Sequence, residues 1–264
     1  MNAKTILKVL LIFLFFQFNN LTAQNTGQVI YNTILESEDF TEFESKLVFF
    51  ESKSLFTFAY QIKESESKRE SDYTITDNNN AELKFDIGPS LSSYRRVYID
   101  NEKDEIISTG HYYKAGTSNK CTITESTGLF NWEITDKSKL IGAFEAFEAK
   151  TSFRGRNYTA WFTYEVPVDI GPWKFHGLPG LVLEVTDEEM GVQFYATQVE
   201  IPSSENISIN KPDEGKHLSY AEYAELRKNF SNEFIDLILS KIPRGVKYSY
   251  EVQETTSRSI ERDY

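Results

Sequence analysis

"GPWKFHGLPGLVLEV", Gly171 to Val185, sets three glycines and two prolines within ten residues and then runs into "LVLEV", a short strand-like segment. Pro172 and Pro179 each fix φ and remove an amide donor, while Gly177 and Gly180 permit dihedrals closed to other residues. The stretch therefore specifies a tight, rigid connection that feeds Leu181, Val182 and Leu183 into a sheet. A phosphate-cradling loop places its glycines before a helix, where free amides face the anion; here they precede a strand, and neither GxGxxG nor GxxxxGK[ST] occurs. Gly171, Pro172, Gly177, Pro179 and Gly180 are read as a structural loop, pinned to the core by Trp173 and Phe175. A rigid aromatic loop at the rim of a sheet is also a recognition surface, the functional version of the same observation.

Outward from this loop the chain reads as β-structure. "GQVIYNTIL" (27–35), "SKLVFFES" (45–52), "SLFTFAY" (54–60), "RRVYID" (95–100), "NWEIT" (131–135), "YTAWFTYEV" (158–166), "GLVLEV" (180–185) and "VQFYATQVEI" (192–201) are short runs rich in β-branched and aromatic residues. Polar or glycine-containing clusters bound them at hairpin-like spacing. One helix stands out: "LSYAEYAELRKNFSNEFIDLILSKIPRG" has Ser219 as N-cap with Glu222 three residues on, and Pro243 with Gly245 to end it. Tyr223, Leu226, Phe230, Phe234, Leu237 and Ile238 form one apolar stripe that needs a partner surface, and in a strand-rich chain the open face of the sheet is that partner. The expected fold is β-dominated α+β: one large curved antiparallel sheet, with an open half-barrel as one form of it, packed on a C-terminal amphipathic helix over 219–242. "VKYSYEVQ" (246–253) reads as a last strand, residues 254–264 as a frayed tail, and the polar run Gln61 to Ser71 as a solvated loop.

Met1 to Ala23 combines Lys4 and Lys8, an apolar run from Val9 to Phe16 and "NNLTAQ", the three regions of a secretory signal, with cleavage expected after Ala23. The run is well short of the roughly 20 residues that cross a bilayer as a helix. The expectation is a single domain over 24–253, exported to the periplasm or beyond and soluble after cleavage. The net charge of −12, more negative still without the two leader lysines, suits solubility and is a poor match for nucleic acid, which needs clustered cations. Aromatic residues make up 14% of the chain, enough apolar volume for a real core. The lone Cys121 rules out an intramolecular disulfide, and "NKCTIT" offers nothing to lower a thiol pKa, so a buried inert strand cysteine is the simplest reading. Only His111, His176 and His217 are present, with no HxH or HExxH spacing, so no metal or other cofactor is expected.

"FRGRNYTAWFTYEVPVDIGPWKFHGLPGLVLEV", Phe153 to Val185, resembles the signature region of the GLPGLI family, exported proteins of Bacteroidetes-type bacteria named for this stretch; the final Ile is Val182 here. The resemblance extends upstream to residue 131 through "NWEITDKSKLIGAFEAFEAKTSF", with its Trp-led strand and Ile-Gly turn. A cysteine that members commonly carry near this position is Ala146 here, so no thiol role transfers. The resemblance implies an envelope accessory protein, of a kind often encoded near outer-membrane receptors, and no catalytic residues. It implies no established biochemical activity.

Three functions follow from these features. The favoured one is a non-enzymatic periplasmic binding or accessory module whose groove is lined by Trp161, Trp173, Phe175, His176, Leu178 and Leu181, taking an apolar small ligand or an outer-membrane protein partner. The second is an envelope hydrolase using Asp169, His176 and Glu184, or Arg154 and Arg156 as an anion clamp, although no nucleophile motif such as GxSxG is present. The third is a purely structural partner of an outer-membrane protein.

Overall fold

A computed structural model describes residues 26–35, 41–58, 73–76, 80–87, 96–114, 117–240, 247–254 and 260–261. The leader (1–23), the polar run 61–71 and most of the tail lie outside these residues. So do the side chains of Phe230, Phe234, Leu237 and Ile238 in the proposed stripe.

Twelve strands form one sheet. In chain order they are β1 (Thr26–Leu35), β2 (Thr41–Phe50), β3 (Lys53–Phe58), β6 (Arg96–Asp100), β7 (Glu105–Lys114), β8 (Thr117–Glu125), β9 (Glu133–Ile141), β10 (Phe144–Phe153), β11 (Arg156–Thr163), β12 (Leu181–Asp187), β13 (Val192–Glu200) and β14 (Lys216–Ser219). Their spatial order is β14-β8-β7-β6-β3-β2-β1-β13-β12-β11-β10-β9. Every pairing is antiparallel except β14 with β8, which is parallel, so the sheet is mixed rather than wholly antiparallel. Strands β4 (Tyr73–Thr76), β5 (Asn80–Ile87) and β15 (Lys247–Glu254) make a separate small sheet in which β15 runs parallel to β5. The last strand read from the sequence thus exists, in a sheet of its own. The single described α-helix, α1, spans Tyr220–Leu239.

The sheet curls. Strands β8 and β9 are ten places apart in it, a lateral distance of roughly 48 Å if it were flat. They are joined by residues 126–132 alone, which reach at most about 28 Å fully extended. Ring contacts agree. Phe56 on β3 and Phe194 on β13 are three strand spacings apart, yet their centroids lie 5.9 Å from each other on the inner face. The half-barrel form of the expected sheet is therefore the one adopted, open between β14 and β9.

The inside of the curl is filled by the signature loop. Val166, Val168, Ile170, Trp173, Phe175 and Leu178 join Tyr31, Phe56, Tyr158 and Phe194 in one buried cluster. Helix α1 does something more limited than closing this core. It packs on β7, β8 and β14, and its Tyr223 joins Cys121, Ile123 and Leu218 in a satellite cluster. The capping box is formed: Ser219 Oγ accepts from Glu222 N at 3.3 Å, and Ser219 N donates to Glu222 Oε2 at 2.8 Å.

Candidate binding cleft

The loop owes its path to a few backbone constraints. A Cβ on Gly180 would overlap the carbonyl oxygen of Thr163, and one on Gly171 would overlap that of Phe175. Gly177 sits at φ +91 and Trp173 at φ +53, so the chain reverses twice in five residues. The reversals are locked from outside: Asp169 accepts from Gly177 N, and Trp132 Nε1 donates to His176 O at 2.8 Å. Phe175 is then fully enclosed, edge-to-face with Tyr158 at 4.9 Å and Trp173 at 5.2 Å.

The six residues expected to line a groove divide between two faces. Trp173, Phe175, His176, Leu178 and Leu181 are all buried on the inner side. Trp161 is half-buried on the outer face, under Lys139, whose Nζ lies 4.3 Å from the ring centroid and pairs with Glu184. Of the six, Trp173 alone lines a described cleft. The residues of the hydrolase reading do not converge either. His176 has both ring nitrogens against main-chain carbonyls, Nδ1 2.6 Å from Lys174 O and Nε2 2.7 Å from Thr127 O. An imidazole so held ties the 126–132 connection to the loop. Asp169 serves Gly177 and Glu184 serves Lys139, and among the described residues no hydrogen bond joins the three. Arg154 and Arg156 point to different partners, so they do not form one clamp.

What the fold does assemble is a buried charge quartet where the β10–β11 turn, the end of β8 and the signature loop come together. Arg154 sits in the two-residue turn between β10 and β11, where it and Gly155 both have positive φ (43 and 76), the geometry of a type I′ hairpin. Its guanidinium pairs with Glu125, at the end of β8, and with Glu261. Lys174, between Trp173 and Phe175, pairs with the same two carboxylates, reaching Glu261 at 2.8 Å. Tyr220, the first residue of α1, covers the cations, its ring 3.2 Å from Arg154 Cζ and 5.5 Å from Lys174 Nζ. Two cations and two carboxylates balance one another, so Lys174, only 3% exposed, is buried with opposite charges beside it. Burial alone would raise the pKa of Glu261, but Lys174 and Arg154 outweigh it and hold the carboxyl below its ordinary range. Burial would lower that of Arg154, but Glu261 and Glu125 outweigh it and raise the guanidinium further.

Beside the quartet opens a small cleft with a cavity volume of about 30 Å³. Val97, Ser108 and Ile123 supply the sheet wall, Tyr220 and Tyr223 the helix wall, and Trp173 the loop wall; Lys174, Ile260 and Glu261 lie at its end. Ile260 and Glu261 are 4% and 8% exposed, so the expectation of a frayed tail does not hold for these two residues. They are fixed three ways: Ile260 in the main core, its carbonyl accepting from Tyr158 Oη at 2.6 Å, and Glu261 on the cations. Sequence reasoning singled out Arg154 but missed Lys174, Glu125 and Glu261. The one local signal was Lys174 itself, a charge between the two aromatic residues read as pinning the loop to the core.

Among the described residues, no group of three His, Cys, Asp or Glu side chains is placed to hold a metal ion, and no helix is long and apolar enough to cross a membrane.

Residues 154–184 match the model of a family described as a protein of unknown function, Porph_ging. The matched window lies within the signature stretch and contains Arg154, Arg156, Trp173 and Lys174. No curated protein matches the chain. A solved structure of PNGF-II in space group P21 is similar over 77% of this chain and 33% of its own, with 13% identity and a TM-score of 0.49; the chain thus spans about one third of PNGF-II. An uncharacterized conserved protein from Thermus thermophilus is similar over 86% of this chain and 91% of its own, with 7% identity and a TM-score of 0.33.

Proposed function

We propose that this chain is an exported, GLPGLI-type binding or accessory protein of the cell envelope, without catalytic machinery, and that its ligand occupies the cleft between β6–β8 and the start of α1. The observation that carries this reading is the cleft itself: apolar and aromatic walls end on Lys174 and Glu261, a layout that suits a small apolar group with one polar end. The aromatic groove expected from the sequence is replaced by this site, with Trp173 as the residue common to both. Linkage to an outer-membrane receptor belongs to the same proposal and rests on the resemblance in the signature region.

Native mass spectrometry of the chain from residue 24, purified gently from its own host's envelope, tests the reading. The expected result is a stoichiometric added mass that disappears in Ser108→Leu, a substitution that fills the cleft from the sheet side. A bare chain, or added mass undiminished in a folded Ser108→Leu chain, would overturn it.

A further inference from the structure

We propose that the cleft is a peptide-binding site, and that Ile260 and Glu261 occupy its end as a resident stand-in for the corresponding segment of a protein partner. The inference rests on the binding reading given above and names the ligand class for it. Two consecutive residues here receive the three kinds of contact that recognise an extended peptide. Tyr158 Oη reads a main-chain carbonyl, at Ile260; the main core takes the aliphatic side chain of the same residue; and Arg154 with Lys174 takes the next carboxylate. All three recognising side chains lie on the β10–β11 hairpin, strand β11 and the signature loop, which hold each other in place without the tail: Arg154 and Lys174 also share Glu125, and Phe175 packs on Tyr158. The site is thus built by residues 125–175, and the segment that fills it arrives from the other end of the chain.

The matching ligand is an extended segment in which a bulky aliphatic side chain is followed by Glu or Asp. Its carboxylate would exchange for that of Glu261, so the quartet stays neutral and no buried cation is left unpaired. The resident segment holds the site against weaker sequences, because its tether gives it a high effective concentration.

The test uses the full chain with a protease site introduced at 255–258, cut after folding and freed of the released fragment by size exclusion. Fluorescence polarisation then follows a labelled peptide of residues 257–264, SRSIERDY. The expected result is binding to the cut chain, at least tenfold weaker binding of the same peptide carrying Glu261→Gln, and at least tenfold weaker binding to the uncut chain. If the cut chain does not stay folded, a full-length Ile260→Ala/Glu261→Gln chain, with its resident contacts weakened, is titrated with the same peptide and is expected to bind it. Absence of binding to either chain with a native circular dichroism spectrum would overturn the inference, as would equal affinity for the Gln peptide. Exchange of tails between copies, seen as a dimer on size exclusion, would also overturn it in favour of a second copy as the occupant. A chain that takes no peptide yet carries a host lipid in native mass spectra would sink this inference and leave the binding reading standing.

Discussion

One hairpin supplies two buried charge arrangements, and they do different work. Arg156, the first residue of β11, pairs with Asp187 at the end of β12, both side chains at most 2% exposed. Asp187 Oδ1 also accepts from Val192 N at 2.7 Å. The pair therefore fixes the register of three neighbouring strands. Arg154, two residues earlier, joins Glu125, Lys174 and Glu261, groups from a distant strand end, a loop and the tail. The same ionic chemistry pins neighbours in one place and staples remote parts of the chain in the other. The first arrangement is one buried pair with the exposed Glu189 4.0 Å from Arg156, whereas the second shares two cations between two buried carboxylates.

The sharpest way to break the comparison is Arg156→Met. It strands Asp187 in the interior and is expected to lower stability by about 3–5 kcal/mol, read by urea or thermal denaturation, with Arg156→Met/Asp187→Leu recovering most of the loss. Lys174→Met should cost less, about 2 kcal/mol, because Arg154 still serves both carboxylates; a loss as large as that of Arg156→Met would mean that the quartet is as indivisible as the pair.

The pH dependence separates the two further. The lowered pKa of Glu261 in the folded chain means that the unfolded chain binds more protons between the two values, so stability rises with pH there. The contribution is fully present above the ordinary carboxylate value near 4.5 and is lost as the pH falls through the lower folded value. Glu261→Gln is expected to flatten the stability profile over that acidic window and leave it unchanged at neutral and higher pH except for a constant offset. A profile as steep as the parent's would assign the acid sensitivity to other carboxylates, such as Glu200, whose pKa hydrogen bonds from Ser204 and Gln28 lower to about 2. The smallest effect is expected at the edge of the cleft: Ser219→Ala removes the N-cap of α1 and should cost about 1 kcal/mol, with no change in the Arg156→Met penalty when the two are combined.

Much of the sheet was legible because its strands carry period-two burial. In β3, Ser54, Phe56 and Phe58 face in while Leu55 and Thr57 are only half-buried, the alternation of a strand with one buried face. Strand β10 was not legible in this way. "FEAFEAKTSF" is rich in Ala, Glu and Lys, good helix formers, yet Ala146 and Ala149 are wholly buried where β10 lies against β9 and β11. Their small side chains fit crowded positions on the two faces of the sheet, so packing overrides propensity. Strand β7 was also missed and β8 was read only around Cys121, their apolar residues diluted by Gly110, Lys120 and several Ser and Thr. The loop was legible as rigid, through its prolines and glycines. Its place inside the curl was not, because that depends on a curvature no local pattern encodes. The charge quartet was the least visible part: Glu125 and Glu261 are polar residues in polar surroundings, and only the closed fold brings them to Arg154.

The position of β1 carries a consequence for how the molecule comes into being. The first described strand lies in the middle of the sheet, with Gln28 opposite Val48 on one side and Glu200 on the other. The centre of the sheet therefore cannot be completed before residue 200 has been made, and the quartet waits for residue 261. Contacts so remote along the chain make for slow folding and a long interval in which the growing polypeptide lacks a finished core. A chain built this way leaves its central strands unpaired, and open to a chaperone, until the segment around residue 200 has been made.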